Sequence, residues 1–173
     1  SYKVLRSAGG LPAVQVGTSA TLAYADTSAL PGTLYTYTVK GVGGAGTGDG
    51  AASASQTGWR ALTAPTGVKA SDGTSTSSVT VSWMASTGAS GYRVLRAVGG
   101  GAAAEIGTTA SGTLSFNDTT VDPGTIATYT VRAIGGPGTG DSVSSVGESG
   151  YRALAAPTGT SASDGAGTGP VVI

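Results

Sequence analysis

Neither cysteine nor histidine occurs among the 173 residues of this chain. Without cysteine there is no disulfide framework and no thiolate metal site. Without histidine there is no Ser-His-Asp or Cys-His catalytic arrangement and no imidazole ligand. Charge is scarce as well. Nine Lys and Arg balance nine Asp and Glu, together 10% of the residues, against about 25% in an ordinary soluble domain. A chain of zero net charge has no field with which to hold nucleic acid or an anionic membrane surface. No apolar run comes near the roughly 20 residues that span a bilayer. Glycine fills the space, 31 residues of it, with Ser, Thr and Ala. A neutral, hydroxyl-rich surface of this kind points to an extracellular or cell-surface setting. Ser1 opens the sequence with no initiator methionine and no signal peptide, which reads as processing or as an excerpt of a longer polypeptide.

The residues that are present repeat. GWRALTAPTGVKASDG at Gly58–Gly73 returns as GYRALAAPTGTSASDG at Gly150–Gly165, 92 residues on. SYKVLR at Ser1–Arg6 returns as GYRVLR at Gly91–Arg96, 90 residues on. YADT at Tyr24–Thr27 matches FNDT at Phe116–Thr119, and PGTLYTYTVKGVGG at Pro31–Gly44 matches PGTIATYTVRAIGG at Pro123–Gly136. A fixed period of this length marks an array of one folding unit. Within the unit the apolar residues alternate. Val79, Val81 and Trp83 are spaced by Thr80 and Ser82, and Tyr129, Val131 and Ala133 by Thr130 and Arg132. Period two, with Val, Thr and Tyr, is the pattern of half-buried strands. Gly-Gly, Asp-Gly and Pro-Gly pairs punctuate the runs, and no 3.6-residue stripe occurs. The pattern predicts an all-β sandwich. Its strands are expected near Thr66–Ser71 (A), Ser78–Met84 (B), Tyr92–Ala97 (C), Ala103–Gly107 (C′), Thr113–Phe116 (E), Ile126–Ile134 (F) and Ser142–Gly147 (G).

As a set these residues resemble the tandem fibronectin type III repeats of secreted bacterial or archaeal surface and filament proteins. The features that carry the resemblance are APTGVKASDG ahead of strand B, Trp83 in VTVSWMAS, GYRVLR in strand C, and PGTLYTYTVKGVGG over strand F. The resemblance covers essentially the whole chain. It implies tandem immunoglobulin-like β-sandwiches, cut in mid-repeat at both ends, that serve as spacers, linkers or adhesive modules. It divides the chain into a repeat lacking strands A and B (1–62), a complete repeat (63–154), and strands A and B of a following repeat (155–173). One departure stands out. The family places a Tyr four residues after the Pro that precedes strand F; Tyr35 fits behind Pro31, but Ala127 takes that place behind Pro123, with Tyr129 the next inward aromatic. The tyrosine-corner hydrogen bond is therefore in question in the second repeat.

The phase of the repeat sets a further expectation. Ser1 aligns with Gly91 and Ile173 with Val81. The inner faces of Tyr2, Val4, Tyr35, Tyr37 and Val39 are then expected to lack cover, and Val171 and Ile173 to lack a sheet. Each such side chain is worth roughly 1.5–3 kcal/mol when buried. Either neighbouring repeats of one long chain complete these surfaces, or separate subunits do so head to tail by strand addition, a heterologous contact that builds a filament. Val171, Ile173, Tyr2 and Val4 are the candidate completion residues.

The chemical motifs are weak. GVGGAG at Gly41–Gly46 matches G-x-G-x-x-G but runs into GTGDG, and its copy AIGGPG carries Pro137; a dinucleotide site needs a helix there, so the segment reads as an F–G loop. In GGAGTGD at Gly43–Asp49 the Asp is one place late for a calcium nonapeptide, and the motif recurs at 92 residues instead of nine. Asp49 and Asp141 read as turn residues. Seven charged positions recur in register and account for 14 of the 18 charges: Lys3 with Arg93, Arg6 with Arg96, Asp26 with Asp118, Lys40 with Arg132, Asp49 with Asp141, Arg60 with Arg152, and Asp72 with Asp164. A feature present once per unit serves the unit's fold. Asp26 and Asp118 are expected to fix the E–F connection, and Asp72-Gly73 a turn. The unpaired Lys69, Glu105, Asp122 and Glu148 form no convergent carboxylate pair for hydrolysis. No enzyme, cofactor or metal site is expected. Asn117-Asp118-Thr119 is an N-x-T sequon, which makes Asn117 a candidate glycosylation site. Trp59 and Tyr151 are expected at the junction between units. The function expected is a structural repeat segment of an extracellular filament, sheath or cell-surface stalk, partnered by further copies of the repeat, with glycans as a second candidate partner. The alternative is a spacer or carbohydrate-contacting module of a large secreted enzyme or adhesin.

Overall fold

A computed structural model describes residues 1–162 and 168–170, and all its regular structure is β. Four strands form the first sheet: β1 (Tyr2–Ser7), β2 (Val14–Ser19), β3 (Tyr35–Gly41) and β4 (Gln56–Gly58), in the order β2-β1-β3-β4. The second repeat contributes β5 (Thr66–Ala70), β6 (Val79–Met84), β7 (Gly91–Val98), β8 (Ala104–Ala110), β9 (Ser115–Asp118), β10 (Ala127–Ile134) and β11 (Glu148–Gly150). These make two antiparallel sheets, β11-β10-β7-β8 and β5-β6-β9. The first sheet and the β11-β10-β7-β8 sheet are copies. Val4 faces Val39 as Val94 faces Val131, and each copy has a bulge after that valine.

The two sheets of the second repeat close on each other. Alternation along β6 and β10 turns Val79, Val81, Trp83, Tyr129, Val131 and Ala133 inward, where they meet Tyr92, Val94, Leu62 and Val121. The Trp83 and Tyr92 rings pack tilted, 5.4 Å between centroids. Thr80 and Met84, out of phase, face solvent. The A, B, C and F strands lie where the alternation puts them. Strand G does not: the ladder runs at Glu148–Gly150, after the expected Ser142–Gly147. Over the expected stretch Ser142 and Ser145 each donate a backbone N–H to β10, at 2.9 Å to the Ala133 and Val131 carbonyls. Their hydroxyls accept the Ala133 and Val131 N–H groups, also at 2.9 Å. A hydroxyl stands where a ladder carbonyl would be, at a spacing of three residues, so the segment follows β10 without being a strand.

The repeats meet end to end. The Gly32 carbonyl accepts the Gly136 N–H at 2.9 Å and the Thr139 hydroxyl at 3.3 Å. Leu62 fills the space between, 6% exposed. Gly32 has φ +67°, and a Cβ there would lie 2.8 Å from the Gly88 carbonyl and 2.9 Å from the Leu62 side chain. The approach needs both the left-handed backbone and the missing side chain.

Candidate functional site

Each repeat ties its E–F connection with a buried carboxylate. Asp118 is 1% exposed and accepts from Arg96 Nη1 at 2.7 Å, Tyr129 Oη at 2.9 Å, the Thr120 N–H at 2.8 Å and Thr120 Oγ1 at 2.7 Å. Asp26 does the same with Arg6 Nη1 at 2.7 Å, Tyr37 Oη at 2.9 Å, the Ser28 N–H at 3.0 Å and Ser28 Oγ at 2.7 Å. Burial pushes the Asp26 carboxyl up, but the donors Ser28, Tyr37 and Arg6 outweigh it and bring its pKa from 3.8 to about 2. The same balance, burial against Thr120, Arg96 and Tyr129, holds Asp118 below the ordinary range. Burial, then the adjacent carboxylate, raises the phenols of Tyr37 and Tyr129. At neutral pH the carboxylate is charged and the phenol neutral, so the cluster is a clamp and not a proton-transfer pair. It fixes the E–F connection, as the in-register aspartates suggested.

A second clamp shows what the first repeat lacks. Arg60 Nη1 donates to the Thr27 and Ala29 carbonyls at 3.1 and 2.9 Å, and Arg152 Nη1 to those of Thr119 and Val121 at the same distances. Arg152 also donates from Nε at 3.0 Å and Nη2 at 2.6 Å to the Thr76 carbonyl, in the connection between β5 and β6. Among the described residues Arg60 makes no bond of that second kind. Among the described residues nothing over the first sheet corresponds to the A–B hairpin that Arg152 grips.

The consequence is an open apolar face. Val39 is 36% exposed, whereas its copy Val131 is at 0%. One concavity is lined by Tyr2, Val4, Leu22, Ala23, Tyr24 and Val39, and an adjoining one by Val4, Tyr24, Asp26, Ala29, Tyr37, Val39, Trp59 and Arg60. Shared walls make them one groove. Phe116 to Asp118 lie in β9 because β6 pairs with them; Tyr24 to Asp26, the same positions, form no strand. Val4 and Tyr35 depart from the expectation, since both are only 6% exposed. Arg6 covers Tyr35, its guanidinium 4.4 Å from the ring centroid. The Tyr35 hydroxyl accepts the Leu30 N–H at 3.2 Å, so the tyrosine corner exists in the first repeat. Ala127 occupies its place in the second, buried and without a hydroxyl.

Other expected residues fall elsewhere. Tyr151 was expected between units but lies on its own repeat's A–B turn. A Cβ on Gly73 would be 2.7 Å from its ring, and the Gly73 N–H donates to its carbonyl at 2.9 Å. Trp59, the same position in the first repeat, stands 51% exposed at the groove edge. Repeat comparison shows that two residues share a role but not which neighbour they serve. Asp49 and Asp141 do more than turn the chain: they pair with Lys3 at 2.6 Å and Arg93 at 2.7 Å, fastening the F–G loops to strand C. Lys3 thereby lowers the Asp49 pKa. Asn117 is exposed on β9, its Oδ1 accepting the Thr80 hydroxyl at 2.9 Å. Tyr2 and Val4 line the groove; Val171 and Ile173 lie outside the described residues.

No protein-family model matches the chain, and no curated protein does. Solved structures do. A two-domain fibronectin type III segment of chicken tenascin superposes with a TM-score of 0.64 at 19% identity, covering 86% of this chain and 82% of its own. An Fn3-like protein of Clostridium thermocellum gives 0.45 at 28% identity, over 56% of this chain and 97% of its own. The fn3 domain of human contactin 1 gives 0.48 at 19%, over 57% and 83%. The chain has the all-β, fibronectin type III-like sandwich fold. Among the described residues no helix is long and apolar enough to cross a membrane.

Proposed function

We propose that this chain is a structural repeat segment of an extracellular filament, sheath or cell-surface stalk. Its open sheet is completed by the A–B hairpin of a neighbouring repeat, in the same chain or by head-to-tail strand addition. The observation that carries the reading is the contrast between two copies of one sheet. The second is sealed by β5 and β6 and leaves Val131 at 0%; the first is uncovered and leaves Val39 at 36%. An apolar groove beside an unpaired E segment fits a β-hairpin better than a small ligand. Scarce charge and a hydroxyl-rich surface support the extracellular setting.

The test places a second copy of residues 63–90 directly ahead of Ser1, in register with the repeat. The expected result is slower amide exchange across β1 and β3, a blue-shifted Trp59 fluorescence, and a higher Tm. Exchange and fluorescence unchanged by the added hairpin would refute the reading.

A further inference from the structure

The contact between the two repeats has two halves, and each half recurs once more, exposed among the described residues. One half is the turn at Gly32 with Leu34 and Leu62. Its copy in the second repeat is Gly124 with Ile126 and Leu154. The backbone is the same: Gly32 and Gly124 have φ +67° and +75°, and each donates its N–H to an arginine carbonyl, Arg60 or Arg152, at 2.9 Å. Exposure is not the same. Leu62 is 6% exposed and Leu154 72%, and Ile126 stands at 65%. The other half is the loop at Gly136–Thr139, copied at Gly44–Thr47. Thr139 donates its N–H to the Gly136 carbonyl at 3.0 Å and its hydroxyl at 2.8 Å; Thr47 does so to Gly44 at 3.0 and 2.9 Å. Both faces are preformed, and the internal junction shows what covers each.

We propose that a second copy of this chain seats its Gly44–Thr47 loop on the Gly124, Ile126 and Leu154 end. The inference rests on the repeat-array reading and names its end contact. The Gly124 carbonyl then accepts the Gly44 N–H and the Thr47 hydroxyl, as Gly32 does from Gly136 and Thr139. The rotation that relates the two repeats is applied again between molecules. Such a contact is heterologous, so it propagates instead of closing. An association between separate molecules depends on concentration.

The absence of cysteine makes the test direct. Asp122→Cys and Gly48→Cys variants, at exposed positions that flank the two faces without belonging to the contact, are mixed and treated with a bismaleimide on a flexible spacer. The expected outcome is that the mixed pair crosslinks in preference to either variant with itself. A chain carrying both changes should give a ladder in steps of 16.4 kDa. Adding Leu154→Asp to the Asp122→Cys variant should cut the mixed product roughly tenfold or more, as loss of one buried leucine implies. Leu154 is solvent-facing, so circular dichroism should be unchanged. No preference for the mixed pair, or no effect of Leu154→Asp, overturns the inference. The hairpin test is scored separately, by exchange in β1 and β3, and Leu154→Asp should not alter it. Failure of the end contact and failure of strand completion therefore give different results.

Discussion

A carboxylate with four donors and 1% exposure is held in its charged form by its surroundings, and Asp118 is such a group. Replacing it with Asn removes the charge that Arg96 faces. Breaking a buried pair from one side costs about 3–5 kcal/mol. Arg96 retains 21% side-chain exposure, which places the expected loss at the lower end, about 3 kcal/mol, read from urea unfolding. A loss near zero would mean that the clamp is decorative. The acid limb follows from the same chemistry. Asp26 is lowered from 3.8 to about 2, and Asp118 is lowered too. A depressed folded pKa adds stability that is fully present above the unfolded value and fades as pH falls through the folded one. Tm should thus hold from neutrality to about pH 5 and drop between about pH 4 and pH 2. The Asp26→Asn, Asp118→Asn double variant should start lower and show a shallower drop; an identical drop would place the acid sensitivity elsewhere.

At the level of strands, equal sequence does not mean equal energy. Val39 and Val131 occupy the same position of the same strand, but among the described residues only Val131 has a sheet above it. Val131→Ala should cost about 2–3 kcal/mol through lost burial and the cavity left behind, and Val39→Ala under about 1 kcal/mol. With residues 63–90 added ahead of Ser1 the two costs should converge. Both are read from chemical denaturation, and equal costs in the unextended chain would show that the groove is already filled. The residues predict β6, β7 and β10 well because the alternation that buries them is visible at period two. The register of Asp26 with Asp118 was visible for a similar reason, since a local Asx turn is written in neighbouring residues. Strand G misled because Ser142 and Ser145 use hydroxyls as ladder acceptors, which no hydropathy pattern records. The Arg152 bond to the Thr76 carbonyl was hidden too: any residue has a carbonyl, so its partner carries no signature. Val4 is 6% exposed although no second sheet covers it among the described residues, and alternation is silent on that.

At the scale of the whole molecule the two repeats touch through one turn. Gly32 lies between the Gly88 carbonyl and Leu62 with no room for a Cβ, and its carbonyl takes both hydrogen bonds that cross the junction from the F–G loop. If the proposed array holds, with stability adding from unit to unit, that contact is the expected determinant of whether neighbouring repeats keep one orientation. Gly32→Val should part the repeats while leaving each folded, because the added side chain meets the Gly88 carbonyl of the other repeat at 2.8 Å and opening the junction removes that clash. The left-handed strain, about 1–2 kcal/mol, stays with the turn, since Gly124 keeps a similar φ with no other repeat against it among the described residues. The measurement is a distance distribution between spin labels on Thr18→Cys and Thr108→Cys, exposed positions at the same place on β2 and β8. The parent chain should give one narrow peak and Gly32→Val a broad one, with circular dichroism unchanged. If the peak stays narrow, the orientation is set by the short link from Arg60 to Pro65 and not by the junction. The end contact at Gly124, built on the same turn, would then lose its claim to align one molecule with the next.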